Sequence, residues 1–172
     1  MQFSRLKNQL LARLATRFPA LAKKFTDSYT PRANSGDIPW VRPAVPLPQA
    51  KLALVTTAGI HHPEQRPFDM NDPNGDPSYR AVDGNRLFAD FTITHDYYDH
   101  SDADKDPNII LPLDRMQEMV GEKKLGSLAA THYSFMGHIV GPHIDTLTHC
   151  TAVEVARKLL QDEVDIVLLT PG

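Results

Sequence analysis

The fold class this sequence predicts is α/β: a mostly parallel sheet with flanking helices, preceded by an N-terminal amphipathic helix and a proline-rich linker. Three observations predict it. Residues 51–57 (KLALVTT) form a short apolar run that opens onto the small-residue turn Ala58-Gly59, the pattern of a core strand feeding a ligand-facing loop. Residues 151–162 space Val153, Ala156, Leu159 and Leu160 as a helix does, and 164–170 (VDIVLLT) follow as a buried strand. A further helical pattern at 113–124 separates other strand-like runs, and such alternation argues for parallel strands joined by crossovers.

The order of elements starts at a basic helix. Phe3, Leu6, Leu10, Leu14, Leu21 and Phe25 recur at helical spacing within 1–26, and no acidic residue precedes Asp27. Pro19 divides this stretch, residues 1–29 forming the helical segment. Such a stripe is expected to pack on the domain or on a partner subunit rather than on a membrane. Residues 30–50 hold Pro31, Pro39, Pro43, Pro46 and Pro48 and read as a linker anchored by Trp40. The α/β domain then occupies 51–172.

Within it, 63–83 reads as a long polar loop and 87–94 (LFADFTIT) as a second strand. Residues 95–107 form another polar loop, and Gly126 is the expected stop of the 113–124 helix. Residues 128–133 are a weak third strand or a turn, and 134–149 lead as a loop into the last helix and strand.

Composition narrows the function classes. The 172 residues include 41% hydrophobic and 23% charged side chains, ordinary globular usage. A net charge of −3 gives no whole-chain case for nucleic acid. The single cysteine, Cys150, excludes an internal disulfide framework and fits a cytoplasmic setting. No apolar run is long enough to span a bilayer. Phosphate-loop, dinucleotide and serine-elbow motifs do not occur.

Eight histidines raise the question of metal. His95, Asp96, Asp99 and His100 form a candidate metal set, the alternative function being a His/Asp metal hydrolase or binding module. Asp102, Asp104 and Asp106 begin a calcium-loop pattern that Pro107 and Leu113 break. Cys150, placed at a helix start, would have a lowered pKa, although a lone intracellular cysteine is more often simply buried. A third class is a non-catalytic subunit whose basic helix docks on a partner.

Several stretches together resemble one family. Residues 54–59 (LVTTAG), 67–69 (PFD) and 75–80 (GDPSYR) are similar to the opening of the selenoprotein B family of glycine, sarcosine, betaine and D-proline reductases. Residues 94–98 (THDYY) and 110–115 (ILPLDR) resemble its middle, and 152–156 and 164–172 its approach to the redox centre. The likeness covers roughly residues 40–172, and its length looks closer to the short D-proline reductase type. It implies a cytoplasmic enzyme subunit that cleaves a C–N bond of an amino acid or amine, with a dithiol or thioredoxin-like electron donor. It also implies a pyruvoyl group on a partner subunit and no cofactor in this chain. The redox selenocysteine or cysteine is expected immediately after Gly172, so the 172 residues alone are expected to be inactive. If translation was read as ending at a UGA codon, the DNA beyond codon 172 will show it. His61, Asp69, Arg80, His138 and His143, on loops beyond the strands, are the expected substrate-binding groups.

Overall fold

The computed structural model describes residues 2–18, 20, 23, 27, 41–87 and 90–172. Helix α1 is Gln2–Arg17. The strands are β1 Lys51–Thr56, β2 Ile60–His61, β3 Tyr79–Asp83, β4 Thr92–Ile93, β5 Ser127–Leu128, β6 Thr131–Phe135 and β7 Ile166–Thr170. Helix α2 is Leu113–Gly121, and α3 His143–Thr146 continues through a wide π turn into α4 Ala152–Gln161.

β1 is the central strand. β7 lies parallel along one edge of it, and β5 followed by β6 lie parallel along the other. β3 then adds antiparallel to β6, which makes the sheet mixed although mostly parallel. Alternate side chains of β1 enter opposite cores, because strand side chains alternate between faces. Leu52 and Leu54 pack with Leu111, Leu113 and Leu125 on one side. Ala53 and Val55 pack with Tyr133, Phe135, Val155 and Leu159 on the other. A strand buried on both faces reads as the unbroken apolar run seen in the sequence.

The edge between β5 and β6 is irregular. Leu52 pairs with Leu128 but Val55 pairs with Tyr133, so the partner edge carries two extra residues. The Leu54 N–H at this break donates to His132 Nδ1 at 3.0 Å. A buried donor without its ladder partner is thereby satisfied by a side chain.

Several expectations are corrected. The predicted buried strand at 164–170 is β7, an edge strand whose side chains alternate. Ile166 and Leu168 join the core, while Leu169 is 72% exposed. A two-faced edge strand and a fully buried one share the same apolar composition. The predicted strand at 87–94 shrinks to β4, which pairs with β2 in a separate two-stranded sheet. Residues 88–89 lie outside the described residues. The predicted loop 63–83 contains β3, hidden because only Val82 of its five residues is buried.

Helix α2 stops at Gly121, with Lys123 left-handed (φ 59°), well before Gly126. Gly126 serves a close approach instead: a Cβ there would stand 2.5 Å from the Gln49 carbonyl carbon. The helical run begins at His143 rather than 151, so Cys150 lies exposed inside it, not at its N-terminus.

The α1 stripe is not buried: Leu6 is 64% and Leu10 60% exposed. The helix meets the domain through its polar face. Most of the predicted linker, with Trp40, lies outside the described residues.

Candidate functional site

The carboxyl ends of the three parallel strands β1, β6 and β7 meet around Thr57. The Thr57 N–H donates to the Thr170 carbonyl at 3.0 Å, and the Gly172 N–H donates to Thr57 Oγ1 at 3.2 Å. Gly59 turns the chain away from β1 with a φ of +71°, a region L-residues avoid. Its N–H donates to the Phe135 carbonyl at 2.9 Å, and its own carbonyl accepts from Thr94 N–H at 2.9 Å. A Cβ at Gly59 would lie 2.6 Å from the Thr94 oxygen, so only glycine lets residues 94–98 lie against this turn.

His95 is delivered by that approach. It is 5% exposed, with Tyr98 edge-on to its ring at 4.7 Å between centroids. The Tyr97 N–H donates to His95 Nδ1 at 3.1 Å, so the neutral ring carries its proton on Nε2. That Nε2 is closed to solvent and has no hydrogen-bond partner among the described residues. Burial, reinforced by the neighbouring His138, lowers the His95 pKa to about 4, which makes the ring neutral at pH 7. Tyr98 donates its hydroxyl to the Ala58 carbonyl at 3.0 Å, and burial raises its pKa.

Asp96 points the other way, into α1. Arg5 Nε donates to its Oδ2 at 2.6 Å and Gln9 Nε2 to its Oδ1 at 2.7 Å. Burial alone would raise this carboxyl, but the bonds from Arg5 and Gln9 outweigh it and hold it below the usual range. Because Arg5 is 42% exposed, solvent screening leaves the pair a small share of global stability. Replacing Arg5 with alanine is expected to cost under about 1 kcal/mol in the melting transition. It is expected to speed limited proteolysis within residues 2–17 several-fold, as local detachment of α1 requires. Equal cleavage rates in both proteins would contradict this anchoring.

Outside this inner ring lies a cleft of about 620 Å³, lined in part by Arg66, Asp69, Asp72, Asp76, Arg80 and His143. Its walls are the loop ahead of β3 and the segment after β6. They are stitched by a bridge between Gly75 and Ile139, by Val140 N–H donating to the Asn74 carbonyl at 2.9 Å, and by His143 Nε2 meeting Asp72 Oδ2 at 2.9 Å. The bond to His143 and then that from Asn74 lower the Asp72 pKa. The Asp76 carboxylate organises the loop by accepting from Ser78 N–H at 2.9 Å and Asp69 N–H at 3.0 Å.

The five expected substrate-binding residues separate into three groups. Asp69, Arg80 and His143 line the cleft. His138 sits between cleft and inner ring, stacked on Tyr97 at 3.9 Å, with its Nε2 3.0 Å from the Pro73 carbonyl. His61 is buried beneath, its ring nitrogens engaged by the His62 carbonyl and Thr94 Oγ1, both at 2.8 Å. Burial lowers its pKa. The Arg80 donors go to the Arg66, Tyr79 and Pro67 carbonyls and to Ser78 Oγ, with the guanidinium over Phe68 at 4.3 Å. Arg66, which sequence reading did not single out, lines the cleft with no side-chain hydrogen bond to another described residue.

The alternative metal set does not assemble. Asp96 is taken by Arg5, Asp99 accepts from Ser101 N–H at 3.2 Å, and His100 meets Asp104 at 2.8 Å. Among the described residues no group of three or more His, Cys, Asp or Glu side chains is placed to hold a metal ion. Nor is any described helix long and apolar enough to cross a membrane.

Residues 19–172 match the family model described as glycine/sarcosine/betaine reductase selenoprotein B. The chain belongs to this family. Among its curated relatives is the D-proline reductase subunit gamma of Acetoanaerobium sticklandii, 34% identical over 133 residues, which cover 77% of this chain and 53% of that protein. The sarcosine reductase complex component B subunit beta of Peptoclostridium acidaminophilum is 32% identical over 128 residues, 72% of this chain and 28% of that protein. The glycine reductase complex component B subunit gamma of Symbiobacterium thermophilum is 32% identical over 149 residues, 85% and 34% of the two chains. This selenoprotein B family chain thus spans about half the length, or less, of the curated relatives it matches. No solved structure matches it. The family match starts beyond α1, so the helix that holds Asp96 lies outside the matched residues.

Proposed function

We propose that this chain forms the strand-edge substrate site of a reductase subunit that cleaves a C–N bond of D-proline, glycine, sarcosine or betaine. The observation that carries the reading is a cleft of both charge signs at the carboxyl ends of the parallel strands, in a chain of this family. Each of those substrates carries a cationic nitrogen and a carboxylate. Asp69, Asp72 and Asp76 favour the first, and the unengaged Arg66 favours the second. Arg80 holds the loop in shape, and His143 and His138 fix it to the segment after β6.

In the proposed reaction a dithiol gives up two electrons and two protons and becomes a disulfide. The substrate's C–N bond breaks, and a C–H and an N–H bond replace it. The nucleophile on this reading is a selenol or thiol at the turn beyond β7, where a lowered pKa would keep it anionic. On this reading a pyruvoyl group, where the reaction uses one, is carried by a partner subunit. The relatives are named as subunits or components of reductase complexes, which supports partner subunits here. A reducing cytoplasm with a thioredoxin-like donor is the setting this chemistry needs.

Calorimetric titration of the purified chain with the four compounds tests the reading. One or more should bind, and Arg66→Ala should weaken that binding roughly 10-fold, the worth of a charged hydrogen bond. The isolated chain should bind without turning over in the presence of dithiothreitol. Failure of all four to bind would overturn the assignment.

A further inference from the structure

We infer that the cleft selects amino acids whose nitrogen carries hydrogen over those with a quaternary nitrogen, and that Asp69 is the residue that makes the choice. The inference rests on the substrate-site reading above and narrows its class of ligand.

Most of the charge lining the cleft is engaged in holding its walls. Asp72 Oδ1 accepts from the Asn74 N–H at 2.8 Å, and its Oδ2 meets His143. Asp76 Oδ1 accepts from the Ser78 N–H and hydroxyl, and its Oδ2 from the Asp69 N–H. Asp69 differs. Its Oδ1 accepts from the Asn71 N–H at 2.8 Å and shapes the turn, while its Oδ2 has no hydrogen-bond partner among the described residues. The cations divide in the same way. Arg80 donates to loop carbonyls, whereas Arg66 has no side-chain hydrogen bond to another described residue. Asp69 and Arg66 are both exposed, so each stays hydrated until a ligand replaces the water. One open acceptor and one open guanidinium on the same cleft fit a zwitterion.

The open acceptor decides which zwitterion. A carboxylate oxygen gains a charge-assisted hydrogen bond only from a nitrogen that bears hydrogen. A quaternary nitrogen has nothing to donate and is held instead on aromatic faces. Among the described residues that line the cleft, none is aromatic. The rings on adjoining segments are already covered. Phe68 is 3% exposed, with the Arg80 guanidinium 4.3 Å above its centre. Tyr97 stacks on His138 at 3.9 Å and has His95 edge-on to it. The position a ligand cation would take over Phe68 is thus filled by the protein's own cation.

Calorimetric titration with glycine, sarcosine, N,N-dimethylglycine and betaine tests this. The series keeps the carboxylate and the positive charge while methyl groups replace N–H bonds until none is left. Affinity should fall roughly 10-fold or more at the last step, from N,N-dimethylglycine to betaine. D-Proline and its N,N-dimethyl derivative should show the same loss. Asp69→Asn keeps the oxygen that accepts from Asn71 and removes the carboxylate. It should weaken the N–H compounds roughly 10-fold and bring betaine close to N,N-dimethylglycine, whereas a loss caused by methyl bulk alone would persist in this variant. Arg66→Ala should weaken all members alike and leave their ratios unchanged, since each carries the same carboxylate. Betaine binding the parent as tightly as N,N-dimethylglycine, or a ratio untouched by Asp69→Asn, would overturn the inference and leave the substrate-site reading standing. Failure of every compound to bind would overturn both.

Discussion

Replacing Gly75 with alanine is expected to destabilise the protein by at least ~3 kcal/mol and to abolish ligand binding in the cleft. Two effects add. Gly75 has a φ of +87°, which costs a residue with a Cβ of order 1–3 kcal/mol. A Cβ there would also overlap the His138 carbonyl group, which is backbone and cannot swing aside. The loop ahead of β3 must then separate from the segment after β6, and the bridge to Ile139 and the Val140–Asn74 bond are lost. For a domain of this size the melting temperature should fall by roughly 6–12 °C. Gly141→Ala supplies the comparison. Its φ is +57°, but the added Cβ meets only the Asn74 side-chain oxygen at 2.9 Å, which can move. A smaller loss, about 1 kcal/mol, is expected there. Equal melting temperatures for the two variants would contradict the docked-loop account.

The second large effect is acid sensitivity. Burial lowers the pKa of both His95 and His132 to about 4, and in each the backbone N–H bound to Nδ1 fixes the neutral form. In the unfolded chain the ordinary value is about 6.5. The folded state therefore binds fewer protons than the unfolded state between these values. The stabilising contribution is complete above pH ~6.5, is lost as pH falls toward ~4, and changes no further below. Each histidine contributes about 3 kcal/mol on this scale, and the two together about 6. A typical domain has roughly 5–15 kcal/mol in total, so the urea midpoint at pH 4.5 should lie far below that at pH 7. Asp96, whose carboxyl the Arg5 and Gln9 bonds hold low against the opposing effect of burial, loses its contribution in the same direction at lower pH still. Matching urea midpoints at the two pH values would show that these rings are not held neutral.

The sequence carries the fold's inner part plainly and its periphery poorly. β1 is apolar along its whole length because Leu52 and Leu54 face one core and Ala53 and Val55 the other. β3 has no such mark: Val82 is its one buried residue, and although Tyr79 packs on Tyr133 and Phe135, Arg80 lines the cleft and Ala81 and Asp83 are exposed. β7 shows the reverse error. Val167 and Leu169 are apolar yet face outward, which no periodicity over five residues could reveal.

At the site, Asp69, Arg80 and His143 line one cleft, but the expectation that they sit on loops holds for Asp69 alone, since Arg80 lies in β3 and His143 opens α3. Their individual roles were not legible. Whether an arginine is free is a matter of its partners, and those lie up to fourteen residues away for Arg80. His95 and Asp96, adjacent in sequence, looked like a shared metal set. The turn at Gly59 sends one inward and α1 draws the other outward, a separation that spacing alone does not encode.

A backbone amide chemical-shift map of the labelled chain during titration with D-proline tests the central claim most directly. Shifts are expected at residues 57–59, 65–78, 95–98 and 136–143, where three strand ends and the cleft come together. Shifts at the opposite groove lined by Gln117, Val120, Ala129 and Ala130, with none at the strand carboxyl ends, would contradict it.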